Sequence, residues 1–396
     1  MDDLLRLLKL SAGEKAERGL TYTPAEIAQQ PATWQSTFGL FRQRRKEITE
    51  FLSETGIWQA DFRFRPHVVL IGAGTSDYIG QSLTYLLRRM WQCEVSAIPS
   101  TDLLTHAEEL LLREHRYLWI SFSRSGESPE SVAILERALE MRPDIRHLIV
   151  CCNTKGRMLQ ESHGHSQMLG ICLDDRVNDR GLAMTSSYSN MVIFGQCLAH
   201  TDDLSPYEEI LAQLIQAGQS FLPIAAERAS ELAELRFHKA CFIGSGALRA
   251  VARESALKLL ELTAGRTLTM SESVLGLRHG PMAALDRETL LVCFLSGNAR
   301  VQKFEVDLLE EIGAKQLVQS RVVAAADSEP RMSGRAEHWL SPASPLRVRD
   351  DYRPPVDVML GQLLGLFFSL RWNLCPDSPS PTGAISRVVQ NVKIHA

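Results

Sequence analysis

The sequence predicts an α/β protein: two doubly wound parallel-sheet domains in tandem behind a helical N-terminal segment. Three observations predict it. Apolar runs without polar alternation, "HVVLIGAG" (67–74), "CEVSAIP" (93–99), "YLWISFS" (117–123) and "HLIVCCN" (147–153), have the character of parallel strands buried on both faces. Helix-length segments such as "DYIGQSLTYLLRRM" and "SPESVAILERALEM" stand between them, so β and α alternate. The pattern then recurs. "ACFIGSGALRAVARESALKLLEL" opens with a strand, continues through Gly244-Ser245-Gly246 and enters a helix, and "TLLVCFLSGN" (289–298) runs out in Ser296-Gly297. The offset from Gly72 to Ser125 nearly equals that from Gly244 to Ser296, which indicates an internal duplication.

Taken in order, residues 1–48 read as helical, with Thr23 in "TYTPAEIAQQ" as an N-cap and Pro24 at the first helical position. Residues 49–205 form the first domain and 206–372 the second. The junction falls in "AHTDDLSPYEE" (199–209), where polarity rises and a proline interrupts the pattern. Near the end, "VDVMLGQLLGLFFSL" (356–370) carries Asp357 and Gln362 and is too short to span a bilayer, so it reads as a buried or dimer-facing helix. Residues 373–396 form a tail.

Composition narrows the function. The 396 residues are 45% hydrophobic, which suits two domains at ~150 residues each. The 43 Lys and Arg against 47 Asp and Glu leave a net charge of -4, with no basic stripe for nucleic acid and none for an anionic membrane. The N-terminus lacks the three parts of a signal peptide. Eight cysteines, none in C-x-x-C spacing, sit mostly in apolar runs as core thiols, so a reducing, cytoplasmic setting is expected. No metal is expected: "ESHGHS" sets His163 and His165 two apart with no further ligand at a suitable spacing. No cofactor is expected either. In "GAGTSD", Asp77 stands where a dinucleotide fingerprint needs glycine, and no phosphate-loop lysine motif occurs.

The most informative stretch is "SFSRSGESPES" (121–131), directly behind a core strand. In a doubly wound sheet, ligands sit at the carboxyl ends of strands, where free amides and the helix dipole favour an anion. The serines add donors, Gly126 lets the backbone approach, and Pro129 suits a first helical position behind Ser128 as N-cap. These parts suit a phosphate; the plainer alternative is a serine-rich cap serving only the helix. Thr75 and Ser76 add hydroxyls at a strand end of the same sheet. Further on, Glu254, Lys258 and Glu261 share one helix face by their spacing. They suit either an exposed ion ladder, worth a few tenths of a kcal/mol per pair, or a proton-transfer site. His279, in the loop "GLRHGPMAALD", has little core to fill.

The two strand–GxG units, the serine loop and "RESALKLLELTAG…LGLRHGPMAALD" together resemble the sugar isomerase (SIS) family of phosphosugar isomerases and binders, over roughly residues 50 to 372. "MSESVLGLRHGP" and the ending "DSPSPTGAISRVVQNVKI" are most similar to its AgaS-type branch, the galactosamine/tagatose-6-phosphate isomerases and deaminases. The resemblance implies a flavodoxin-like fold repeated twice. It implies phosphate on Ser76, Ser123, Ser125 and Ser128, the base at Glu261 with Lys258 and Glu254 on its face, and ring opening by His279. It also implies a homodimer or higher oligomer in which His279 reaches the neighbouring subunit's site. The function implied is conversion of galactosamine 6-phosphate to tagatose 6-phosphate and ammonia. Isomerisation of neutral hexose 6-phosphates and non-catalytic phosphosugar sensing are the alternatives. The chain departs from the related glucosamine-6-phosphate synthase in two places. Its first cysteine is Cys93, so no glutaminase nucleophile opens it, and its tail has Ser386 and Arg387 near the imine-forming lysine's place, with Lys393 several residues later.

Overall fold

The computed structural model describes residues 3–328, 335–389 and 392–395. Grouped by contact, the chain forms two compact units that are not contiguous stretches. One comprises Thr33–Asp179, Ser186–Glu209 and the tail from Ile385; the other comprises the chain up to Ala32, Arg180–Thr185 and Ile210–Ala384.

The first of these units is built on five parallel strands: β1 (His67–Gly72), β2 (Val95–Pro99), β3 (Tyr117–Ser123), β4 (Arg146–Cys151) and β5 (Met168–Cys172), in the order β2-β1-β3-β4-β5. The central β3 is buried along its whole length, as a strand covered by helices on both faces must be. Three helices position the site: α1 (Thr75–Trp91) after β1, α2 (Pro129–Met141) after β3, and α3 (Ser186–Leu198), buried at every position.

In the other unit, β6 (Lys239–Gly244), β7 (Leu268–Ser273), β8 (Thr289–Phe294), β9 (Ser320–Ala324) and β10 (His338–Leu340) pair in parallel in the order β10-β9-β8-β6-β7. Read from the other edge this is the order of the first sheet, so the duplication extends to topology. Its helices include α4 (Ala247–Leu262) after β6, α5 (Ala299–Ala314) after β8, and α6 (Pro354–Arg371). The same turn opens both repeats. Gly74 has φ 56° and ψ -123°, and Gly246 has φ 58° and ψ -129°, a conformation closed to residues with a Cβ. A Cβ on Gly72 would fall 2.3 Å from the Ser76 carbonyl carbon, and one on Gly244 would fall 2.4 Å from the Leu248 oxygen.

One expectation changes and two gain detail. The helix in "TYTPAEIAQQ" runs Thr23–Ala28 with Tyr22 at the cap position, so Thr23 is its first residue; the Thr23 hydroxyl donates to Asp377 Oδ1 at 2.7 Å instead of capping. The apolar segment 356–370 is a buried helix inside its unit. Gly361 and Gly365 bring it against α4, where a Cβ on either would lie within 2.6 Å of Ser255 or Leu262. Cys375 is exposed, whereas Cys151, Cys152, Cys197, Cys241 and Cys293 are buried free thiols. Among the described residues no helix is long and apolar enough to cross a membrane.

Candidate active site

The serine loop lies at the carboxyl end of β3, beside the end of β1, because Ile71 stands opposite Ser121 in the ladder. Ser123 Oγ accepts the Gly126 amide at 3.0 Å, and Ser125 Oγ accepts the Glu127 amide at 3.2 Å. A hydroxyl used as an acceptor keeps its own proton to donate, so both serines retain a donor for an anion. Gly126 takes φ 66°, and a Cβ there would sit 3.0 Å from Gly156 Cα. The loop after β4 braces this turn: Asn153 Nδ2 donates to the Ser125 carbonyl at 2.9 Å, and the Met158 amide donates to the Gly126 carbonyl.

Ser128 holds the N-cap position of α2 but makes no capping bond; its hydroxyl donates to Glu130 Oε2 at 2.9 Å. The loop is therefore not a serine cap serving the helix. Ser76 is in the first turn of α1 and, like Ser123, is largely buried, while Ser125 and Ser128 are half-buried.

Two arginines that the sequence reading left unassigned to this loop are tied to it. Arg124 is buried within the serine loop and donates to the Arg387 carbonyl. Arg387 in turn donates to the Asp179 carbonyl and to Asn178 Oδ1, each at 2.7 Å, which docks the tail on the segment before α3. An arginine in a polar loop reads as a surface charge, and nothing in the local pattern signals its burial. Thr185 and Ser186 are fully buried. Asp179 caps α3 by accepting the Ser186 and Ser187 amides at 3.0 and 2.9 Å. Lys393 and Ser386 are exposed.

In the other unit the three charged residues of α4 meet as their spacing requires. Lys258 Nζ lies 2.7 Å from Glu261 Oε2 and 3.4 Å from Glu254 Oε1. This is no exposed ladder. The Lys258 and Glu254 side chains are 1% and 0% exposed, and only Glu261, at 27%, reaches solvent. α6 packs closely on α4 beside these residues: Gly361 lies against Ser255, and Gly365 against Leu262 and the Lys258 carbonyl. Burial draws the Lys258 pKa down, but the charges of Glu254 and Glu261 outweigh it, and the net shift is upward. Lys258 is thus a fixed cation that holds one edge of the Glu261 carboxylate.

His279 follows a short 3-10 turn, Gly276–Arg278, and is exposed, with Gly280 at φ 116° behind it. Beside it Arg278 pairs with Glu311 at 2.7 Å. Glu272, another carboxylate of this region, accepts the Ser273 amide and pairs with Arg249 at 2.8 Å. The Ser273 amide first, and Arg249 next among the favourable contacts, hold it below the usual carboxylate range. A cavity of about 810 Å³ lies elsewhere: Phe62, Phe64, Arg65, His67, Tyr85 and Arg116 line it at the amino ends of β1 and β3.

The SIS domain family matches residues 62–201. Over 379 residues the chain is 34% identical to the D-galactosamine-6-phosphate deaminase AgaS of Escherichia coli, covering 95% of this chain and 96% of that protein. It is 31% identical to the protein of the same name from Shewanella sp. strain ANA-3, covering 98% and 95%. The crystal structure of tagatose-6-phosphate ketose/aldose isomerase from Escherichia coli superposes with a TM-score of 0.84 at 29% identity, covering 98% of each chain.

Proposed function

The chain belongs to the SIS-domain family, in its AgaS-type branch, and on that premise we propose that it converts galactosamine 6-phosphate and water to tagatose 6-phosphate and ammonia. The observation that carries the reading is the α4 triad, in which a buried Lys258 backed by Glu254 holds a single solvent-reaching carboxylate, Glu261. Shifting a proton between adjacent carbons needs such a base in a fixed position.

Ser76, Ser123, Ser125 and Ser128 take the phosphate through hydroxyl donors at the strand ends. His279, supplied by the neighbouring subunit of a homodimer, moves the proton that opens the pyranose ring; an imidazole is suited to this near neutral pH. Glu261 removes the C2 proton of the open aldehyde, which gives an enolamine. Protonation at C1 gives a C2 imine, and water replaces its nitrogen, releasing ammonia and leaving the ketose. Lys258 and Glu254 act through Glu261 as positioning residues. The exposed Lys393 plays no part, and no imine to the protein is needed.

The test is direct. Purified protein given galactosamine 6-phosphate without added metal or nucleotide should release ammonia in equal amount to the ketose formed. Ketose from galactose 6-phosphate with no ammonia from any amino sugar would establish the second reading, a plain aldose–ketose isomerase, which the likeness to the tagatose-6-phosphate isomerase structure favours. Tight binding of these sugars with no turnover would leave a sensor.

A further inference from the structure

The second repeat has its own serine–glycine strand end, and there the chain meets a carboxylate of its own. Beyond β8, Ser296 Oγ donates to Asp350 Oδ2, the Gly297 amide donates to Asp350 Oδ1 at 2.8 Å, and Arg353 Nη1 donates to the same oxygen at 3.0 Å. The serine follows the logic of Ser123: its oxygen accepts a loop amide, here Asn298 N at 3.0 Å, and its proton is given to the anion. Arg353 is 0% exposed and is aimed into the cradle from the start of α6, with Nη1 also on the Leu295 carbonyl at 2.8 Å. Asn298 caps α5 with its side chain, which leaves the Gly297 amide for the carboxylate.

We propose that the carboxyl end of β8 is an oxyanion site whose resident anion is the Asp350 carboxylate, which closes the second repeat to phosphate and phosphosugars. Two further acids face it. Glu305 accepts the Ser296 amide at 2.7 Å, and Asp357 lies 2.9 Å from Arg353 Nη2. Burial raises the pKa of Glu305, and burial raises that of Asp357 to about 6, so both favour their protonated forms more than ordinary acids do. Asp350, with three donors and 22% side-chain exposure, shares the Arg353 charge with Asp357 and is the acid that takes the Ser296 hydroxyl and the Gly297 amide. A hydroxyl, a loop amide and an arginine at the mouth of a parallel sheet suit any small oxyanion. A tethered carboxylate has no entropy of association to lose and outcompetes a free one.

Anion rescue tests this. In chloride buffer Asp350→Gly should melt roughly 5–10 °C below wild type, because three donors lose their acceptor. Millimolar formate or inorganic phosphate should restore most of that loss, and should raise the wild-type melting temperature much less. The wild-type shift serves as the background for phosphate held at the serine loop. Equal anion responses in the two proteins would overturn the assignment. Asp350→Asn, which keeps the shape, guards against a glycine variant that fails to fold. It should also melt lower than wild type, because its amide cannot accept from all three donors, and the anions should not rescue it because the cradle remains filled. An Asp350→Asn protein as stable as wild type would overturn the proposal.

Discussion

Replacing Lys258 by methionine keeps most of the side-chain volume while removing a cation that lies 3.4 Å from a wholly buried carboxylate, Glu254. Breaking a buried pair by deleting one partner costs about 3–5 kcal/mol, because the remaining charge loses its compensation. For a unit of this size each kcal/mol is worth roughly 2–4 °C, so the melting temperature should fall by roughly 6–20 °C at neutral pH. The pH dependence separates this from a simple packing defect. The Lys258 pKa is raised on folding, so its contribution is fully present below the ordinary lysine value and is lost only as pH climbs through the higher folded value. In wild type this group therefore adds no slope between about pH 6 and about pH 9. In the variant the carboxylate of Glu254 is favoured in its protonated form, so stability should rise as pH falls below neutral. Calorimetry across that range, on Lys258→Met and on the double variant Lys258→Met/Glu254→Gln, reads both effects. The double variant should recover much of the loss. A single variant that melts within a degree of wild type, or whose loss the second substitution leaves untouched, would refute the idea that the pair is buried and mutually dependent.

Other outcomes follow from the same contacts. Ser125→Ala removes a hydroxyl proposed to serve the phosphate, a loss of about 1.5–3 kcal/mol, and steady-state kinetics should show it mainly as a raised KM with melting unchanged. Glu261→Gln should lower kcat by about 10²–10⁴-fold with substrate binding retained, as a titration with the sugar phosphate can show. Mixed dimers of Glu261→Gln and His279→Ala should regain activity that neither variant has alone, and mixtures as inactive as their parents would place both groups on one chain. Gly126→Ala must adopt φ 66° against Gly156 and should destabilise the serine loop by about 1 kcal/mol or more, with phosphosugar affinity falling in parallel.

Much of the architecture was legible because its signals are local. The continuous runs of β1, β3, β4, β6 and β8 announce buried parallel strands, and the glycine turns behind β1 and β6 appear in the sequence as GxG. The remaining strands carry weaker marks. Edge strand β7 is only partly buried and reads "LTMSES", with no apolar run, and β10 has three residues. Cap assignment at Thr23 went astray because Asp377, far along the chain, takes its hydroxyl. Arg124 and Asn153 brace the serine loop through partners in other segments, which no spacing rule connects.

By itself, then, the sequence determined the repeated strand–turn–helix units, the serine loop at a strand end and the alignment of Glu254, Lys258 and Glu261 on one helix face. Each follows from backbone geometry within a few residues: alternation of burial, the positive φ that only glycine adopts freely, and the helical repeat. Tertiary structure alone decided whether that helix face was a solvated ladder or a buried triad, since the answer depends on what packs around α4, including α6, whose Gly361 and Gly365 come about a hundred residues later. It likewise decided that the second serine–glycine turn would hold Asp350. Burial and charge pairing depend on what packs against a residue, and in both cases the covering element comes from a distant part of the chain.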